Sequence, residues 1–325
     1  MLEYPCLTSD PNQANAIYLP YYAAIDALRY LYGPEVNNSM EHGLELYDYL
    51  QDNEGWIWSR NHGADHFLVM SRPAWDFSQA VDVDPPIWGT SFLELPEFYN
   101  VTVLIVEGRA WPWQEQAVPY LTSFHPPNLG FLESWIKRVK VSKRTTLMLF
   151  AGGGGVGSTP NIRRSIRNEC ESSNFSSNSD IYVNNGEGFD YPEDEESFLQ
   201  GIHPLGGRLL MGFLLGVYQF SLKNYLQSHN MAGICQKKCI GTFAVFIPKE
   251  DVVLKGLRIL DVLTGIPRNE VLRMREKVIE LIPRVLYRKH GSSSGLRARK
   301  DAFDIAVEGA LQRIDSRLKG SDFDQ

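Results

Sequence analysis

Residues 56–77 read WIWSRNHGADHFLVMSRPAWDF. A polar, aromatic-rich segment runs into the short apolar strand Phe67–Met70 and out through Ser71-Arg72-Pro73. Four apolar residues closed by a proline turn have the length and composition of a buried strand. Loops at strand ends are where α/β proteins place ligand chemistry. This one carries His62, Asp65 and His66, and such groups can take or give a proton near neutral pH. It also carries Trp56, Trp58 and Trp75, whose flat faces suit the C–H faces of sugar rings. The same residues can instead form a buried His–Asp pair that holds the loop. Both readings are open on these residues alone.

Upstream, Ala16–Leu19 reads as a strand and Tyr22–Tyr32 as a helix with Ile25, Leu28 and Leu31 on one face. Glu41–Leu50 reads as a second helix. Downstream, Val101–Val106 is another continuous apolar strand, ending at Glu107, either a cleft carboxylate or an ordinary strand-end charge. Continuous apolar strands between helices predict a parallel sheet covered on both faces. The proline-rich segment 118–130, VPYLTSFHPPNLG, predicts a link between two lobes.

A second α/β unit begins with the strand Thr145–Phe150 and the glycine-rich loop Ala151–Pro160. The helix from Asn161 carries Arg163, Arg164 and Arg167. Glycines such as Gly152 and Gly153 let backbone N–H groups approach phosphate oxygens, and a helix N-terminus adds partial positive charge. Guanidinium groups bind phosphate in bidentate fashion. No Gly-Lys-Ser/Thr follows, so the loop is not that of an ATPase, and the glycine spacing does not match a dinucleotide fingerprint. A nucleotide diphosphate is the predicted ligand; a flexible glycine loop with solvated arginines is the alternative. Further on, Glu171–Glu196 is polar, acidic and predicted mobile. Phe243–Ile247 reads as a strand, Asn269–Tyr287 as a helix interrupted by Pro283, and Lys300–Leu318 as an amphipathic helix.

The 325 residues, 43% of them hydrophobic, suffice for one large domain or two ordinary ones. A net charge of −7 gives no global electrostatic case for nucleic acid. No apolar run reaches the length of a membrane span, and no secretory signal follows Met1. The four cysteines make no disulfide scaffold, and Cys235-x-x-x-Cys239 lacks the second ligand pair of a zinc site. The triplets at Asn37, Asn100 and Asn174 are weak pointers to the secretory pathway.

Several phrases together resemble the plant branch of the exostosin-type glycosyltransferases, family 47, and most of all its xyloglucan galactosyltransferases. They are YPCLTSDPNQANAIYLPYY (4–22), the stretch 56–77, VPYLTSFHP (118–126), residues 145–170, residues 243–251 and LIPRVLY (281–287). The resemblance implies a two-lobed GT-B fold with Rossmann-like lobes and a cleft between them. It implies an acceptor-side lobe over 1–130, incomplete at its start, a donor lobe over 131–290 and a C-terminal helix over 291–325. It implies a UDP-galactose donor, a xyloglucan acceptor, inversion at the anomeric carbon and no metal or other cofactor. Asp82-Val-Asp84 mimics the acidic metal-binding pair of other glycosyltransferase folds but reads as a solvated turn before Pro85-Pro86. His62, Asp65 and His66 match the family's HGxDHF motif and become the candidate catalytic residues, with Asp65 or His66 as the base. Arg167 matches an arginine near the donor phosphates; Gly152, Gly153, Arg163 and Arg164 join it as donor-binding candidates. Trp56, Trp58, Trp75 and Glu107 are the acceptor-binding candidates. The family's setting is the Golgi membrane with a lumenal catalytic domain, among other Golgi glycosyltransferases and the work of cell-wall synthesis. Against that setting the sequence is expected to start partway into the first lobe, at Met1-Leu-Glu-Tyr4, without the family's anchor and stem.

One internal segment departs from the family. Relatives carry GDSxTRRSxFDxxLAGCIPVFF and later WHLP, whereas residues 201–242 read GIHPLGGRLLMGFLLGVYQFSLKNYLQSHNMAGICQKKCIGT. Read from the third base of the Gly201 codon, a permitted coding gives DSSTRRSTFDGF. The shifted frame permits LAGCIPVFF and WHLP further on, and the family frame returns near Phe243. The segment therefore reads as the same DNA in another frame. Two alternatives to galactose transfer stay open: an inactive remnant of the family, and transfer of galacturonic acid, arabinose or fucose.

Overall fold

The computed structural model describes residues 3–32, 38–81, 88–109, 113–121, 124–142, 148–151, 161–172, 181–184 and 242–320. The chain divides into two compact units. The first takes Met1–Val118 and Phe303–Gln325, the second Pro119–Gln227 and Ile234–Ala302.

The first unit is built on four parallel strands, β1 (Ile17–Tyr18), β2 (His66–Val69), β3 (Thr102–Ile105) and β4 (Glu115–Ala117), in that spatial order. Phe67 pairs with Thr102 and Val103 with Glu115. β2 and β3 carry few polar side chains because both faces of the sheet are covered. On one face Leu68, Met70, Val103 and Ile105 pack with residues of α1 (Ala23–Leu31) and α2 (Glu41–Asn61) and with Phe77, Phe92 and Phe98. On the other, Phe67 and Leu104 pack with Ala306, Ala310 and Ile314. Those three belong to the last helix of the chain, Ala302–Leu318, which is therefore a layer of this unit from Phe303 onward.

Two expectations for the helices change. α1 buries Ala23, Ala27, Tyr30 and Leu31, while Ile25 and Leu28 face outward. The alanines are what let the helix approach closely, a signal that counting large apolar residues does not register. α2 does not stop at Leu50 but continues to Asn61, so Trp56 and Trp58 are helical rather than part of a loop. No proline interrupts residues 51–61, and Trp58 is buried against Tyr47, Phe98 and His66. The helix ends at His62, which is left-handed at φ 49°, followed by Gly63 at φ 79°. A left-handed residue at a helix terminus followed by glycine is a common stop.

The second unit contains α3 (Leu129–Val141), capped by the Asn128 side chain accepting from Phe131 N at 2.8 Å. It also contains β5 (Met148–Ala151), α4 (Ile162–Ser172) and β6 (Ile181–Asn184), with β5 and β6 paired in parallel. Among the described residues four helices follow: α5 (Lys249–Val253), α6 (Ile259–Thr264), α7 (Arg268–Val285) and α8 (Ser294–Arg297). The last helix of the chain is α9 (Ala302–Leu318). β6 falls inside the predicted mobile loop, so that expectation fails at Ile181–Asn184. Phe243–Ile247 joins no strand ladder among the described residues, although Phe243 and Ile247 are buried. Pro283 sits in the last turn of α7 and does not divide it. Ile166 of α4 packs with Ile247, Val252, Ile259, Leu260 and Leu263, while Trp135 of α3 packs in a second cluster with Ile279, Ile282 and Leu286. The Glu169 carboxylate ties α4 to α6, accepting from Ile259 N at 2.9 Å and Leu260 N at 2.7 Å. A carboxylate on two N-terminal N–H groups satisfies donors that the helix itself cannot.

Candidate functional site

In a parallel sheet the two edges are chemically unlike, because ligands of open α/β folds bind beyond the carboxyl ends of the strands. His62, Asp65 and His66 precede or open β2, and so lie at its amino edge. His62 is exposed, and its carbonyl accepts from Asn100 Nδ2 at 3.3 Å. Asp65 and His66 are buried. Asp65 Oδ2 accepts from Arg60 Nε at 3.1 Å, from Arg60 Nη2 and from Asn61 Nδ2 at 2.7 Å. Its Oδ1 lies 2.8 Å from His66 Nδ1, a short contact without hydrogen-bond alignment. Burial alone would raise the Asp65 carboxyl, but the contacts with His66, Arg60 and Asn61 outweigh it and hold the group well below the usual carboxylate range. A carboxylate so held is a weak base near neutral pH. The arrangement is that of the loop-holding pair. Arg317 of α9 closes the same edge, donating through Nη1 to Ala64 O at 3.1 Å, to Asn100 O and to Thr102 Oγ1 at 3.2 Å. Burial pushes the Arg317 guanidinium down to about 10, with Arg313 adding to the effect.

The carboxyl edge is different. Beyond β2 the chain passes through Ser71, left-handed at φ 57°, and enters a 3-10 turn at Ala74–Asp76. A non-glycine residue in this region is uncommon and costs backbone strain. Beyond β3, the carbonyl of Glu107 accepts from Ala74 N at 2.8 Å, which fixes Glu107 beside the Trp75 turn. Glu107 is half-buried and Trp75 exposed. Glu107 is thus tied through its carbonyl to the residue before Trp75, whereas Trp58 is part of the core and Trp56 lies exposed on α2. Sequence reading missed Tyr32, Arg72, Asp76 and Trp88, which meet at this edge. Arg72 and Asp76 form an ion pair of 2.6 Å, and Trp88 Nε1 donates to Asp76 Oδ1 at 2.9 Å. The i, i+4 spacing of Arg72 and Asp76 was the available signal.

In the second unit, Arg163, Arg164 and Arg167 are partly buried on α4. Asn161 starts that helix, its Oδ1 accepting from Arg164 N at 2.9 Å. The cap leaves the first turn as a preorganised set of N–H donors with arginines beside it, chemistry suited to phosphate. Gly152 and Gly153 lie outside the described residues, as do Asp82 and Asp84 and residues 201–241. Among the described residues no group of three or more His, Cys, Asp or Glu is placed to hold a metal ion. Among them, too, no helix is long and apolar enough to cross a membrane.

Residues 1–203, more than half of the chain, match the family described as the exostosin GT47 domain. The chain belongs to the exostosin GT47 family. Its relatives in that family agree. A "Probable xyloglucan galactosyltransferase GT19" of Arabidopsis thaliana is 54% identical over 98% of this chain and 76% of its own length. The "Xyloglucan galactosyltransferase MUR3" of the same plant is 32% identical over 98% of this chain and 52% of its own length. A "Xyloglucan-specific galacturonosyltransferase 1", also from Arabidopsis thaliana, is 28% identical over 97% of this chain and 47% of its own length. This GT47 chain therefore spans between about half and three quarters of the length of these relatives. The family match stops at residue 203, close to the start of the segment 201–242.

Proposed function

We propose that this GT47 protein transfers galactose from UDP-galactose to side chains of xyloglucan, with inversion, in the Golgi lumen. The observation that carries the reading is the 54% identity, over 98% of the chain, to a relative named as a probable xyloglucan galactosyltransferase. The GT-B arrangement, with reaction in a cleft between lobes and no metal required, is part of the proposal. The capped N-terminus of α4 and Arg163, Arg164 and Arg167 hold the diphosphate and stabilise the charge that develops as UDP leaves. An acceptor hydroxyl oxygen attacks C1 of galactose, the C1–O bond to UDP breaks, and the hydroxyl proton passes to a carboxylate. We assign that carboxylate to Glu107, which stands at the carboxyl edge beside Trp75, and give Asp65 and His66 a positioning role. The test is incorporation of radiolabelled galactose from UDP-galactose into galactose-free xyloglucan. Glu107→Gln is expected to lower kcat by roughly 10²–10⁴-fold with the protein still folded. No incorporation by the chain carrying the in-family segment in place of 201–242 rejects the reading. Competition by UDP-galacturonic acid, UDP-arabinose or GDP-fucose separates the other sugars.

A second reading has its own observation. The family match ends at residue 203, beside the segment 201–242 that departs from the family's pattern. On that reading the chain as written is a remnant without a donor site, and calorimetry with UDP shows no binding. Tight UDP binding by the written chain rejects it.

A further inference from the structure

The geometry points to a dedicated binding platform for a neutral glucan backbone at the carboxyl edge of the first sheet, formed by Tyr32, Trp75 and Trp88. The inference rests on the reading of the chain as a transferase acting on a glycan. The ring centroids of Trp75 and Trp88 are 6.2 Å apart with planes at 33°, and Tyr32 meets Trp88 edge-on at 5.5 Å. Trp75 is 55% exposed, Trp88 38% and Tyr32 64%. Large aromatic groups that gather on a surface rather than in the core mark an interaction site.

The support beneath the rings separates this patch from incidental exposure. Asp76 is fully buried, yet both of its oxygens serve surface groups: Oδ1 accepts from the Trp88 indole and Oδ2 from Arg72 Nε. The Arg72 guanidinium in turn lies 5.9 Å from the Tyr32 ring centre. Burying a carboxylate is unfavourable unless it is paired, and here the pairing fixes the aim of an outward-facing ring. Trp88 N donates to Gln79 Oε1 at 3.1 Å, and Thr90 N donates to Asp76 O at 2.8 Å. Gly89, at φ 93°, lets the segment carrying Trp88 close on the Trp75 turn, since a Cβ there would stand 2.9 Å from Trp75 O. A rigid platform loses little freedom when it binds.

The chemistry of the platform selects its occupant. The Trp88 N–H is already engaged, so the ring offers its face. The charges of Arg72 and Asp76 neutralise one another, so the pair beneath the rings adds no net charge to the platform. Successive β-linked pyranose rings with equatorial hydroxyls present apolar C–H faces that stack on such rings. The platform would grip the glucan backbone, and Glu107, held beside Ala74, would face the side chain it carries.

The test is titration of the full chain with cello-oligosaccharides and with xyloglucan oligosaccharides, followed by calorimetry. The expected result is binding of both, weakened roughly tenfold in Trp75→Ala and in Trp88→Ala. Asp76→Leu is expected to weaken binding as well, by leaving the Trp88 indole without its acceptor. Trp113→Ala, which removes an exposed tryptophan just before β4 at the opposite edge, is expected to change nothing. In an active enzyme the Trp75→Ala KM for xyloglucan rises while kcat is kept. Because Trp75 is exposed, its variant folds, and unchanged affinity in it overturns the platform; so does failure of the unsubstituted chain to bind either glucan. Loss of UDP-galactose turnover with glucan binding intact counts against the transferase reading alone.

Discussion

The two edges of the first sheet are made from similar residues and are put to opposite use. At the amino edge Arg60 and His66 close on the buried Asp65, and Arg317 donates to the loop carbonyls of Ala64 and Asn100. At the carboxyl edge Arg72 and Asp76 make an equally close pair, but the groups they orient, Tyr32 and Trp88, are turned to solvent. Charged clusters in a sequence therefore do not announce function by composition. Which end of a strand they occupy, and whether their partners are buried or displayed, decides between a lock and a binding surface.

Asp65→Ala should give the largest effect. Removing the carboxylate leaves Arg60 and Asn61 without their buried acceptor, and a broken buried pair costs about 3–5 kcal/mol. Urea unfolding measures it. The contrast between the edges breaks down if Asp65→Asn keeps its unfolding midpoint and yet abolishes transfer.

Acid should expose the next largest effect. Burial pushes the His42 imidazole down to about 4, against the pull of Asp26, while Nδ1 lies 3.0 Å from Thr90 Oγ1. The ring is neutral in the fold and protonates more readily in the unfolded chain. Stability is thus complete above about pH 6.5 and falls as pH drops from there toward 4, by at most about 3 kcal/mol. Asp65 behaves in the same sense at lower pH, because its carboxylate is stabilised in the fold and that stability is lost only as the carboxylates protonate. Unfolding free energy measured against pH should show two successive limbs, and His42→Gln should remove the upper one.

Arg317→Met should cost about 1–3 kcal/mol by leaving the carbonyls of Ala64 and Asn100 without their donor. A thermal melt is sufficient to see it. Last, Trp75→Ala should change stability by less than about 0.5 kcal/mol. A destabilisation as large as that of Arg317→Met would mean that the carboxyl-edge rings are core rather than surface, and the contrast would be lost.

Long apolar runs were the legible part of the fold. β2 and β3 were read nearly to the residue, and their continuous burial explains why. β6 was not, because Ile181–Asn184 is a four-residue strand inside an acidic, serine- and asparagine-rich surround that outweighs it. Phe243–Ile247 failed in the other direction, since an apolar run is buried equally well without a ladder. At the candidate site, the residue types around Trp56–Phe77 drew attention to the right stretch. Its split into a sealed amino edge and an open carboxyl edge was not visible, because the end of α2 had been set too early. Arg317 and Trp88 were out of reach for another reason: their partners are contributed by segments distant in sequence.

The return of α9 to the first sheet also has a consequence for the time at which the protein can exist. Phe67 and Leu104 receive their cover from Ala306, Ala310 and Ile314, and Arg317 reaches back to Ala64 across a sequence separation of 253. Domains ordinarily fold as they leave the ribosome, amino-terminal part first. Here one face of the first sheet lacks that cover until residues 306–314 have been made, long after β3. During that interval Phe67 and Leu104 present bare apolar surface, and any slip of reading frame upstream that is not corrected before Ala302 removes their cover.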